Sequence, residues 1–259
     1  MGAPVLDLPR SVTLAAWLPH VHGGAALAER AVAGVTDDDE PHTVLAHDGA
    51  QAPGSRLIDL VLAWGMPGVA VAAVLPVPGD VVGVPAQVSA AAVEAGECVL
   101  VETPSGAFAA VPEVEAFGSA AEPGHLVTWR VTPVPVWTLG VMAAVGALAD
   151  AERELREALR TATEALDRLD VARWRQDAVA ALASLRAEPD VRALPPGLES
   201  RRARVLALAA RLRVIVDLAG DDDGGAVNLW QADQRSAALR HVDHAARRAM
   251  CAATLVVPG

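Results

Sequence analysis

Lysine and tyrosine are both absent from the 259 residues, and Asn228 is the single asparagine. The missing lysine excludes Schiff-base chemistry, pyridoxal attachment, a Walker-type phosphate lysine and a Ser-Lys dyad, because each needs an ammonium on a long stem. All 21 basic side chains are therefore arginines. Aromatic residues contribute 3%, and Ile58 and Ile215 are the only isoleucines, so the 53% apolar fraction is mostly alanine and valine. Such residues let backbones approach closely but bury little area per side chain. Heavy use of Ala, Val, Arg and Gly is what very high G+C coding produces. The composition points to a high-G+C bacterium and explains the missing lysines at least as well as function does.

Cysteine is equally scarce. Cys98 and Cys251 fit neither a disulfide framework nor a CxxC metal spacing, and each reads as a small buried apolar residue. Cys98 opens an apolar strand, where burial should raise its thiol pKa and make it inert. Long apolar runs are also lacking. Leu60–Leu75 is interrupted by Gly65, Pro67 and Gly68, and Val131–Ala149 by Pro133 and Pro135, so neither is expected to cross a bilayer that demands ~20 residues. The N-terminus carries Asp7 before Arg10 and has a short apolar stretch, unlike a secretory signal. The cytoplasm is the expected compartment.

Charge is present but uneven. The formal net charge is −11. Residues 1–137 hold four Arg and 15 acids, whereas 138–259 hold 17 of each. A net-acidic protein is repelled by phosphate backbones, so nucleic acid is not an expected partner. A nucleic-acid-associated role would have to use Arg201, Arg202 and Arg204, or Arg247 and Arg248. Salt-bridge-laced helix surfaces account for these arginines more simply.

The first half alternates short strands and helices punctuated by Gly and Pro. Strands are expected at Val12–Leu18, Thr43–Ala46, Val69–Leu75, Glu97–Glu102, Ala107–Val111 and Leu126–Thr132. Helices are expected at Ala25–Val35, at Arg56–Trp64 capped by Ser55, and at Gln87–Ala95 with Gly96 just past its end. Asp37–Glu40 reads as a solvated loop. The rigid apolar loop from Pro76 to Pro85 should be covered by other residues.

The second half changes character near Pro135. Leu148, Leu155, Leu159, Ala162, Leu166 and Leu169 follow the spacing of a helix packed lengthwise on a partner, with Glu152 interrupting the seam where a carboxylate would meet an arginine. Further helices are expected after Asp170, after Ser200 and over Ala226–Ala253. The fold class is thus α+β or α/β. A mixed α/β domain over 1–135, its sheet flanked by helices, precedes a helical domain over 136–259, an antiparallel bundle or long helical hairpin.

Candidate chemistry is sparse. His20 and His22 lie between a predicted strand and a helix, where α/β proteins commonly place ligands, and an HxH pair in extended backbone points both imidazoles the same way. With His42, His47 and Asp48 they form a candidate divalent-metal set, and a metal-dependent hydrolase using metal-bound water is the alternative function. His241 and His244 share a helix face without the HExxH glutamate. No GxSxG is present, a Ser105–His125 pair has no motif behind it, and Glu113 and Glu115 share one face of an extended segment. Asp221–Gly225 lacks the acid that a calcium loop needs at its twelfth position. The reading that follows is a non-catalytic binding or scaffold protein without cofactor. Its helical half supplies the contact, between domains or with a protein partner or second copy, and no membrane span is expected.

Overall fold

A computed structural model describes residues 6–46, 54–81, 83–119, 122–168, 194–220 and 229–258. The chain divides into two compact units. One comprises the described parts of Leu8–Gly146, Arg192–Glu199 and Thr254–Gly259, the other those of Met1–Asp7, Ala147–Val191 and Ser200–Ala253.

The first unit is built on a five-stranded mixed sheet, in the order β1-β5-β4-β3-β2. Its strands are β1 (Thr43–Ala46), β2 (Ala70–Val74), β3 (Cys98–Thr103), β4 (Gly106–Ser119) and β5 (Glu122–Val134). β1 pairs parallel with β5 and every other neighbour is antiparallel. β2 is buried along its whole length, as its uninterrupted Ala/Val sequence requires.

Helices cover both faces. α1 (Arg10–Trp17) packs on β2, β3 and β4 and against α2 (Ala25–Thr36), which in turn meets α3 (Leu57–Trp64). Trp64 stacks on Phe108 of β4 with ring centroids 6.3 Å apart, placing the end of α3 on that face. On the other face Thr138, at the start of α5 (Thr138–Val145), donates its hydroxyl to Glu102 at 2.6 Å. α4 (Ser89–Ala95) contacts β4, and Gly96 takes the left-handed position after it, at φ 72°. The apolar loop turns at Gly79 and is closed by paired bonds between Val77 and Asp80. Further along, Val141 of α5 lies against Gly83, so part of the loop is covered by a helix.

Three expectations are corrected. Val12–Leu18 is not a strand: residues 10–17 form α1, followed by a 3-10 turn over Leu18–Gly23. Every residue from Ser11 to Trp17 is buried, so this helix carries no polar stripe, and periodicity cannot distinguish it from a buried strand. The Glu97 carboxylate accepts the Ser11 N–H at 2.7 Å, answering one of the otherwise unpaired amides of the helix start. The cap of α3 is Arg56, not Ser55; its backbone N–H reaches Asp59 at 3.4 Å. Finally, β4 and β5 run well past the expected Ala107–Val111 and Leu126–Thr132, forming a two-stranded arm beyond the sheet. Pro112 and Pro133 both fall where the strand has a neighbour on one side only, which is where a missing N–H is tolerated.

The second unit contains α6 (Leu148–Arg168), α7 (Ser200–Gly220) and α8 (Leu229–Thr254). The buried stripe of α6 is Ala151, Glu152, Leu155 and Ala158. Leu155 belongs to the expected seam, while Leu148 and Leu159 flank the stripe half-buried. Leu169 and the helix expected after Asp170 lie outside the described residues, as does the Asp221–Gly225 turn. Glu152 does meet arginines, accepting from Arg201 at 2.8 Å and from Arg156. Arg248 pairs with Glu154 and Arg213 with Asp243, and Arg202 donates to the Ala253 carbonyl at 2.8 Å.

Candidate functional site

The densest polar constellation gathers residues far apart in sequence around one carboxylate. α2 ends in a turn at Asp37, whose φ of 45° is left-handed, and the Asp39 N–H closes it on the Thr36 carbonyl at 2.8 Å. This reversal aims the Asp39 side chain back toward the start of α1. Arg10 grips it with both arms, Nε to Oδ2 at 2.6 Å and Nη2 to Oδ1 at 2.8 Å. His42, just before β1, bonds Oδ2 through Nε2 at 3.1 Å, and His125 of β5 bonds Oδ1 through Nδ1 at 3.1 Å. Four donors thus converge on a carboxylate only 8% exposed. Burial alone would raise its pKa, but the Arg10 and His42 hydrogen bonds outweigh burial and lower it.

A fifth residue fixes the protonation of the cluster. Trp129 of β5 donates its indole N–H to His42 Nδ1 at 3.1 Å. Indole nitrogen can only donate, so Nδ1 must present a lone pair and the proton must sit on Nε2, facing Asp39. His42 is therefore neutral. Burial lowers its pKa, with the Asp39 carboxylate opposing only part of the effect. His125, by contrast, is 40% exposed, and its Nδ1 bond leaves Nε2 as its outward ring nitrogen.

Chemically, an imidazole oriented by a carboxylate is the arrangement of a general base. Among the described residues no hydroxyl or thiol is bonded to His125. The nearby Thr43 and Thr128 hydroxyls bond each other at 3.0 Å, and Ser105 bonds Thr103 at 2.8 Å in its own turn. What the cluster demonstrably does is tie the start of α1, the segment before β1 and the root of the arm to one carboxylate.

Of the expected metal residues, His20, His22 and His42 are described. His20 sits in the 3-10 turn with Nδ1 on the Ala16 carbonyl at 3.1 Å, and its ring edge lies against Gly197. His22 is exposed. His42 has both ring nitrogens occupied, as described above. His47 and Asp48 lie outside the described residues. Among the described residues no three His, Cys, Asp or Glu side chains are grouped to hold a metal ion. Cys98 is buried and burial pushes its thiol pKa up, as an apolar strand position predicts. Sequence reasoning put His42 in a metal set and weighed His125 only as a partner of Ser105, and it missed Arg10, Asp39 and Trp129. The one local sign was the α2 helix ending directly in the acidic run.

Two surfaces leave large apolar side chains in water. Val136, Leu139 and Met142, at and before α5, are 72%, 80% and 44% exposed. On the arm, Val114, Phe117 and Leu126 are each nearly half exposed. Among the described residues no helix is long and apolar enough to cross a membrane.

Fold and site define a two-part protein, a helix-covered mixed sheet with a carboxylate-centred tie, followed by a charged helical unit. The chain belongs to the Rv1486c-like protein family: residues 11–141 match that family's N-terminal domain and residues 149–251 its C-terminal domain. No curated protein and no solved structure matches it.

Proposed function

We propose that this chain is a non-catalytic binding protein of the cytoplasm that works by contact, with a protein partner or a second copy, through α5, which lies within the expected helical half of residues 136–259 but packs with the sheet-bearing unit. The observation carrying this reading is the outward face of α5. Leu139, Met142 and Ala143 are exposed there, and Val136 stands exposed just before it. Clustered apolar side chains left in water, on an uncharged stretch running from Val131 to Ala149, are what a contact surface presents before its partner arrives.

The helical unit supports the same reading. We read α6, α7 and α8 as a bundle in which α8 runs antiparallel to the other two: Arg248 near the end of α8 pairs with Glu154 near the start of α6, Arg202 near the start of α7 donates to the Ala253 carbonyl, and Arg213 pairs with Asp243, while Arg201 links the start of α7 to Glu152 of α6. Those pairs engage Arg201 and Arg248, two of the arginines that a nucleic-acid role would need. Light scattering on the full chain tests the contact. The expected result is a mass above one chain, or a stoichiometric protein retained from the native host, with either lost in a Leu139→Glu, Met142→Glu double variant. A one-chain mass with nothing retained refutes the reading.

A further inference from the structure

The arm formed by β4 and β5 has one edge occupied and one edge open. On the β5 side, Glu40 donates its N–H to the His125 carbonyl at 3.1 Å, the Thr43 hydroxyl reaches the Val127 carbonyl, and β1 pairs from Thr128 onward. On the β4 side, β3 supports the strand only as far as Ala110. Glu113–Ser119 is exposed throughout. Among the described residues, its backbone bonds lead only to β5. Seven residues of extended backbone, about 23 Å at the usual rise per residue, therefore offer alternate N–H and C=O groups to solvent.

Side chains on this edge select the occupant. Glu113, Glu115 and Phe117 share one face, and Val114 and Ala116 share the other, by the alternation of a strand. Phe117 lies over Gly124, where a side chain would collide with its ring at 2.5 Å, and Leu126 is its diagonal neighbour on that face. Residues 106–129 contain no arginine. Arg130 pairs with Glu113, while no described cation pairs with Glu115. Two copies of this edge laid side by side, parallel in register or antiparallel about Val114, would oppose glutamate to glutamate, which repels across a strand pair. A second copy is thus disfavoured, and opposite charge is favoured.

We propose that the open edge of Glu113–Ser119 is a strand-addition site for an extended segment of a partner protein in which arginine or lysine alternates with apolar residues. Backbone hydrogen bonds hold the segment, its basic side chains face Glu115 and Glu113, and its apolar side chains cover the exposed Val114 on the opposite face. This surface is distinct from α5, and its test does not depend on the reading of α5.

The test is fluorescence anisotropy of the full chain with a labelled seven-residue peptide of alternating arginine and valine. Two comparisons accompany it: the same peptide N-methylated at alternate backbone nitrogens, and a Glu115→Arg variant, whose exposed position leaves the fold intact by circular dichroism. The expected result is saturable binding weakened tenfold or more by N-methylation and again by Glu115→Arg, and unchanged by the Leu139→Glu, Met142→Glu substitutions. Equal binding of the N-methylated peptide would reduce the effect to charge attraction and overturn the proposal. So would an absence of binding, or a two-chain mass that Glu115→Arg abolishes.

Discussion

The indole N–H of Trp129 and Nδ1 of His42 meet at 3.1 Å, inside a site where the His42 side chain has no solvent exposure. This bond makes His42 a neutral donor to Asp39, and the pH dependence of folding follows. The folded pKa of His42 lies below the ordinary 6.5 because of burial, so on acidification the unfolded chain takes up the proton first. Stability is full above 6.5 and falls as pH drops below it toward the folded pKa. Asp39 acts in a separate window. Its carboxyl sits below the ordinary 3.8, so its contribution survives that fall and is lost only at pH below 3.8. Trp129→Phe should cost about 1–3 kcal/mol by leaving a buried acceptor unpaired, and should shrink the upper window by freeing Nδ1 to protonate. Urea unfolding at pH 7.5 and 5.5 measures both, and identical midpoints for wild type and variant would refute the assignment.

Arg10 and Asp39 form the charged heart of the same tie. Removing the guanidinium leaves a carboxylate 8% exposed with only imidazole donors. Arg10→Gln is therefore expected to cost about 2–4 kcal/mol, between the value of a charged hydrogen bond and that of a broken buried pair. Asp39→Asn should cost less, because the amide can still accept from Arg10. The double variant should be more stable than the sum of the single losses implies, since each removes the other's unpaired charge. Strict additivity in a double-mutant cycle would show that the two groups do not interact in solution.

Where sequence and structure agree, local pattern and burial coincide. β2 is an unbroken Ala/Val run, α2 has its apolar stripe at Ala28, Ala31 and Val35, and Gly96 ends α4 in the left-handed position that glycine alone takes freely. Local pattern fails where burial is complete or where contacts are remote. α1 is buried on all sides and so lost the periodicity that marks a helix. The arm carries Pro112, Glu113 and Gly118, each a poor strand former, and is extended because β4 and β5 pair through to Ser119 and Glu122. The Asp39 cluster was invisible for a related reason. Its bonds span 29 residues to Arg10 and 86 to His125, and no spacing rule reports such distances. Asp39 reads as one acid in a run of four, and only the fold singles it out.

Glu152 illustrates a polar residue in a helical seam that was legible as an interruption. Its pKa is lowered chiefly by the Arg201 hydrogen bond, against burial. Its contribution is present above the ordinary 4.5 and disappears as pH falls through the folded value. Glu152→Gln should lower stability by about 1 kcal/mol at pH 7, a small figure because both guanidinium groups are well exposed and solvent-screened. At pH 3, below the ordinary 4.5, the difference between wild type and variant should be smaller than at pH 7. Thermal unfolding at the two pH values checks this, and a constant gap would mean that packing of the amide, not charge, sets the difference.

Two glycines with left-handed backbone separate conformational cost from collision. Gly96 has φ 72° and open space where a Cβ would stand, whereas at Gly118, φ 89°, a Cβ would lie 2.3 Å from the Glu122 carbonyl oxygen. Gly96→Ala should cost only the left-handed penalty, about 1–2 kcal/mol, read as a shift in global unfolding. Gly118→Ala must also displace the backbone that closes the arm, which a side-chain rearrangement cannot relieve. Its effect should be local: amide exchange across Glu113–Ser119 should accelerate tenfold or more while exchange in β2 and β3 stays unchanged, because those strands pair independently of the arm. The same variant should lose the proposed strand addition, whose template is the ordered edge. Unaltered exchange in the arm would show that β4 and β5 are not closed through Gly118 as described.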